Sequence, residues 1–213
     1  MKWILENLPL LMQRTGEHLA LAVPAIVLSL LIALPLGWLA HRYKLSRWVI
    51  VTVTALLYAV PSLPLFVVLP TILGTGLRDP INVVVALTMY GVALLVRQVA
   101  DALDAVPAEV VDASVAQGFG PIRRVFTVEL PLAVPALVAG WRVVAVSTIS
   151  LVTVSGVLGL PSLGLLFVDG TQRGIPEEIL AGIVLTVVLA LILDQLIAWL
   201  GRALTPWRKA VAA

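Results

Sequence analysis

The chain has 213 residues, 61% of them apolar and only 12% charged, with a formal net charge of +2 and a mean hydropathy of +1.08. So little polar surface cannot cover a water-soluble globule of this length, and the composition points to a bilayer. The absence of cysteine excludes disulfides, thiolate metal sites and cysteine nucleophiles together.

The N-terminal stretch 1–18 mixes Lys2, Glu6, Arg14 and Glu17, unlike the basic n-region of a secretory signal, and the apolar run behind it is too long for a signal core. It is read as leading into a retained first membrane helix. Neither end carries a lipidation pattern. Five apolar stretches approach the roughly 20 residues needed to cross the hydrocarbon core: 19–40, 48–73, 81–96, 131–151 and 179–200. None alternates as a barrel strand would, and open strands would leave backbone groups unpaired in lipid, so the prediction is an all-α, polytopic protein. One transmembrane domain accounts for 1–213.

Basic residues orient the spans. Arg42, Lys44 and Arg47 fall in the first loop, Arg97, Arg123 and Arg124 in the third, and Arg202, Arg208 and Lys209 at the C-terminus. The second and fourth loops hold only Arg78 and Arg173. The positive-inside rule then places the N-terminus outside and the C-terminus inside, and an odd number of spans agrees. Trp38, Trp48, Trp199 and Trp207 lie near the predicted cytoplasmic ends, at the headgroup level that an indole prefers. With the cations assigned to topology and lipid contact, no nucleic-acid partner is implied.

Prolines recur within the spans at 24, 35, 61, 64, 70 and 135, each removing one helix hydrogen bond. Membrane helices tolerate single prolines, but Pro61-Ser62-Leu63-Pro64 is expected to break a full turn of the second span. Ala136 and Gly140 stand at small-xxx-small spacing, which lets helices approach closely.

The third loop, about 101–131, is too long for a simple connection. Its punctuation describes two short helices: Pro107 suits a first helical turn, Gly118 the left-handed position past a helix end, and Gly120-Pro121 a second start that stops before Pro131. Val111 with Val115, and Ile122 with Val125 and Phe126, give each helix an apolar stripe. A segment lying on lipid would carry Lys or Arg on its polar side, whereas the first helix carries Glu109 and Asp112. The expected receiver is therefore another protein.

The register of this loop is specific. Asp112-Ala113-Ser114 is followed by Gly118 at plus six from Asp112 and by Leu130-Pro131 at plus eighteen and nineteen. It resembles the EAA loop of ATP-binding-cassette importer permeases of binding-protein-dependent systems, and within them most closely the osmoprotectant branch, which takes up glycine betaine, choline, carnitine or proline betaine. The likeness runs from the first span through 156–164 to Asp194. Asp112 and Ser114 stand where that family has Glu and a second Ala, and Val128 replaces a common Ile.

The resemblance implies a fold like that of methionine-importer permeases, in the bacterial cytoplasmic (inner) membrane. It also implies a coupling surface at Glu109, Asp112, Ala113, Ser114, Gly118, Leu130 and Pro131 that receives a separate ATPase subunit. An extracytoplasmic solute-binding protein and a second permease copy, identical or related, complete the implied assembly. ATP and Mg would be bound by the ATPase, with no cofactor and no metal in this chain. Pro61, Ser62 and Pro64 are candidates for the translocation path.

Arg142 and Asp194 are the charges that fall inside the predicted spans, where charge must be paired or hydrated. They are read either as a structural ion pair or as a gate or cargo contact. His18 and His41 stand isolated near span ends, no Ser-His-Asp set can be assembled, and no G-x-x-x-x-G-K-[ST] loop is present. The alternatives are a permease for an amino acid such as methionine and, from other classes, a non-transporting membrane scaffold or an intramembrane enzyme.

Overall fold

A computed structural model describes residues 2–207, and among these every regular element is helical. In chain order the elements are α1 (Lys2–Glu6), α2 (Leu8–Arg42), α3 (Lys44–Ala59), α4 (Ser62–Leu73), α5 (Pro80–Asp104), α6 (Ala108–Ala116) and α7 (Pro121–Arg124). A π turn (Val125–Glu129), α8 (Leu130–Val152), a 3-10 segment (Thr153–Leu158), α9 (Gly164–Arg173) and α10 (Pro176–Leu204) follow. Arg208 and Lys209 lie outside the described residues.

The first span is longer than the sequence pattern suggests. It begins at Leu8 rather than near 19 and runs 35 residues, roughly 52 Å, well beyond a ~30 Å hydrocarbon core. The polar residues ahead of the expected span stay helical because they bond along the helix: Arg14 Nη1–H donates to Glu17 at 2.8 Å and Gln13 to Glu17 at 2.9 Å. Pro24 and Pro35 sit inside without ending it.

The second predicted span is not one helix. α3 and α4 meet at an angle of 107°, because Val60 and Pro61 are both extended (ψ 127° and 140°). Pro61 caps α4 and Pro64 sits in its first turn, where a missing N–H costs nothing. The bent pair runs along α5 from one of its ends to the other. Arg47, near its start, bonds Asp104 at one end of α5, while Arg78 immediately precedes the other end of the same 25-residue helix. Four continuous helices are long and apolar enough to cross a membrane, and the broken pair makes a fifth crossing if it is one span.

α5 is the central element, packed against α2, α8, α3 and α4. Leu87, Leu95, Val96 and Val99 on α5 and Ile149 on α8 are sealed within the packing. In lipid such contacts stabilise through van der Waals fit, so small residues set the distance of approach. Gly140 illustrates this, since a Cβ there would overlap the side chain of Gln98 on α5. Its expected companion Ala136 is exposed and takes no part.

The third and fifth helices also outrun their predicted stretches, reaching Asp104 and Leu204. The fourth loop, read from sequence only as a connection carrying Arg173, folds into the 3-10 segment and α9, with Gly156 and Gly164 in backbone contact distance of each other.

Candidate functional site

The loop between α5 and α8 is built by its punctuation. Pro107 is the N-cap residue of α6, one position before the first turn expected for it. Gly118 has φ +83°. Its N–H donates to Val115 O at 2.9 Å and the Phe119 N–H to Ser114 O at 3.0 Å, the paired bonds of a Schellman ending that satisfy carbonyls left open at the end of α6. Gly120 and Pro121 start α7 as read from the sequence, and Arg123 lies 4.4 Å over the Phe119 ring.

The second loop helix does not stop before Pro131. It continues through the π turn into α8, with the Leu130 N–H reaching back to Val125 O. The wider turn absorbs the register change that Pro131 imposes, since Pro lacks the N–H an α-helix would need there. Leu130 and Pro131 accordingly stand at the base of a span rather than on α6, Leu130 packing beside α2 and α5.

Glu109, Asp112 and Ala113 are exposed along α6. Ser114 is 5% exposed, its hydroxyl donating to Val111 O at 2.6 Å, so it seats the helix rather than presenting a surface. The expected apolar stripes are only partly covered. Val125 is buried and Val111 half-buried, but Val115 and Ile122 are exposed and Phe126 is 66% exposed. Ile122 and Phe126 border an apolar cleft of about 420 Å³ reaching Leu34, Trp38 and Val99. α6 thus shows an acidic edge beside uncovered apolar side chains.

Beneath α6 lies a polar cluster that the sequence did not disclose. A cavity of about 230 Å³ is bordered by Asp112, Arg124, Glu129, Asp104 and His41. Glu129, 2% exposed, accepts from Arg124 Nε–H, and its second oxygen is 3.9 Å from His41 Nε2. His41 also bonds Asp104, which accepts from Arg47, and Arg47 bonds Asp101. His41 is therefore not isolated but ties α2 to the loop, to α5 and to α3. These partners are 54 to 63 positions apart for α2 and α3 against α5, beyond any local spacing signal.

His18 is likewise a joint rather than an isolated side chain. It is fully buried, with Nε2 3.0 Å from Ile149 O and the Leu163 N–H donating to Nδ1 at 3.4 Å. A neutral ring protonated on Nε2 satisfies both.

Within the spans, Arg142 and Asp194 form a two-point pair: Nε–H donates to Oδ1 and an Nη2–H to Oδ2, each at 2.7 Å. The planar fork matches the carboxylate and links α8 to α10. Pro61 and Pro64 are exposed at the α3/α4 break and Ser62 is half-buried there. The break lies along a different part of the chain from the ion pair, and among the described residues no side-chain hydrogen bond or ion pair joins the two groups. The break also carries two residues not singled out from sequence. Tyr90 donates its hydroxyl to Val60 O, a carbonyl next to the break, and its ring meets that of Tyr58 edge-on, at 5.9 Å between centroids and 84° between planes.

Comparison with known proteins is consistent along the whole length. The chain is 31% identical over 207 residues to the osmoprotectant import permease protein OsmW of Salmonella typhimurium (strain LT2), covering 96% of each chain. It is 30% identical over 196 residues to the choline transport system permease protein OpuBB of Bacillus subtilis (strain 168), covering 92% of this chain and 89% of that one. Among solved structures it superposes on a chain of the MetNI methionine ABC transporter in an inward-facing conformation with a TM-score of 0.82 at 25% identity, over 94% of this chain and 98% of that one. Residues 25–207 match the model of the binding-protein-dependent transport system inner membrane component family. With four to five apolar helical spans and a match over most of its length, the chain belongs to that family and is a multi-pass inner-membrane protein.

Proposed function

We propose that this chain is the permease of an osmoprotectant importer, forming with a second permease copy the path for small zwitterions and cations such as glycine betaine, choline or carnitine. The observation that carries the cargo is the full-length similarity, at 30–31% identity, to permeases named for osmoprotectants and choline. The likeness to the methionine transporter speaks for the shared fold, and the sequence relatives favour osmoprotectants over methionine. Family membership sets the chain among transport components rather than scaffolds.

In this reading α6 is the coupling helix. Glu109, Asp112 and Ala113 face a separate ATPase, the Schellman ending at Gly118 fixes where α6 stops, and Ser114, Leu130 and Pro131 anchor the loop to the spans. ATP and Mg belong to the ATPase, and an extracytoplasmic binding protein delivers the cargo. Pro61, Ser62 and Pro64 border the path at the helix break, consistent with the use of broken helices at cargo sites in other transporters. Arg142 and Asp194, engaged with each other at two points, hold α8 against α10.

Expression with the cognate ATPase and binding protein in a host lacking betaine uptake provides the test. Growth at high osmolarity should be restored by supplied glycine betaine, choline or carnitine. Uptake of methionine, with no rescue by any of these three, would overturn the cargo assignment.

A further inference from the structure

Within the five apolar stretches of the sequence Asp194 is the only carboxylate, and both of its oxygens are taken by Arg142. A quaternary ammonium group crossing these spans therefore meets no free acid at depth. Nor does it donate a hydrogen bond. Among side chains, the group best matched to a cation that donates no hydrogen bond is the negative face of an aromatic ring.

The α3/α4 break supplies such a ring. Tyr58 lies fourteen residues from the start of α3 and Tyr90 ten from the start of α5, roughly 21 Å and 15 Å along their helices and so well inside the hydrocarbon depth. Tyrosine ordinarily sits at the headgroup level instead. Tyr90 is 5% exposed and its hydroxyl is committed to Val60 O. That bond and the edge-on contact hold Tyr58 in place. Tyr58 itself is 48% exposed, and among the described residues its hydroxyl has no hydrogen-bond partner. A phenol left in that state against lipid carries a desolvation cost, whereas one lining a hydrated path does not. Pro61 and Pro64 are exposed just beyond it, at a helix break bent by 107°.

We propose that Tyr58, positioned by Tyr90 at the α3/α4 break, is a contact for the quaternary ammonium headgroup of the cargo during its passage. This rests on the osmoprotectant reading above and adds a specificity-determining residue to it. The ring acts by its face, so aromatic replacements preserve the contact and aliphatic ones do not.

The test uses the full complex, with cognate ATPase and binding protein, in proteoliposomes at saturating binding protein, with labelled choline as the probe. Uptake and ATP turnover are measured together. Tyr58→Leu should lower choline uptake ~3- to 30-fold, the span of a cation–π contact from exposed to desolvated settings, while ATP turnover stays near wild type. Tyr58→Phe and Tyr58→Trp should transport within about twofold of wild type. Wild-type uptake in Tyr58→Leu would overturn the proposal. So would equal losses in the Phe, Trp and Leu variants, or a parallel fall of ATP turnover in Tyr58→Leu, which marks a structural role. If the wild-type complex moves neither choline nor glycine betaine, the cargo reading and this proposal both fall. If it does and only the Tyr58 arm fails, the cargo reading stands alone.

Discussion

Gly118 carries a constraint that can be tested one side chain at a time. At φ +83° a β-branched residue is strained by ~1–2 kcal/mol, and the two Schellman bonds are made across that left-handed residue. Gly118→Val is expected to leave the protein inserted in the membrane but to displace the end of α6, with loss of ATPase co-purification and of uptake. Asp112→Lys should do the same by a different route, since it reverses the acidic edge without touching the backbone. Co-purification and solute uptake at wild-type levels in both variants would refute the docking face. Asp112 also borders the cavity that holds Glu129 and Asp104, so the charge reversed there lies close to the joint between loop and spans.

At the level of elements, the uninterrupted passage from α7 through the π turn into α8 is the feature that connects the loop to the membrane. Removing Thr127 restores the ordinary helical register, which turns everything before it by roughly 100° and draws it in by about 1.5 Å. α6 would then present a different face while α8 keeps its packing. The expected outcome is a permease of near-normal yield whose complex hydrolyses ATP without moving solute, or no longer binds the ATPase. Coupled uptake at the wild-type rate would show that the wide turn has no part in transmission. The Arg124–Glu129 bond spans this same turn, so the register and the buried charge are held together.

For the whole molecule, the arrangement in the membrane is the exposed prediction. Nine of the fourteen basic residues fall in the first loop, the third loop and the C-terminal segment, and these should face the cytoplasm. The structure brings the first two together at one end through Arg47, His41, Asp104 and Glu129, with Arg78 beside Gly159 at the opposite end. Single cysteines at 44 and 117 in this cysteine-free chain should be shielded from an impermeant thiol reagent in intact cells, and those at the exposed positions 78 and 172 labelled. Labelling at 117 would invert the topology.

Hydropathy alone determined that the chain is helical and embedded, because backbone groups in lipid admit few other solutions. Local chemistry determined the loop as well: a glycine able to take positive φ and prolines without an N–H act within a turn of where they stand, so Gly118 and Gly120-Pro121 were legible one residue at a time. The bend at Pro61 was readable for the same reason, though its angle was not, since that depends on what α4 packs against. The second loop helix runs past its expected end, because a π turn can carry a helix through a proline that an ordinary helical register would not admit. The pairing of Arg142 with Asp194, the joint around His41 and Glu129, the burial of His18 and the meeting of Tyr58 with Tyr90 were decided by tertiary structure alone. Each joins side chains from different helices, and spacing along one helix says nothing about which face of the next will be brought against it.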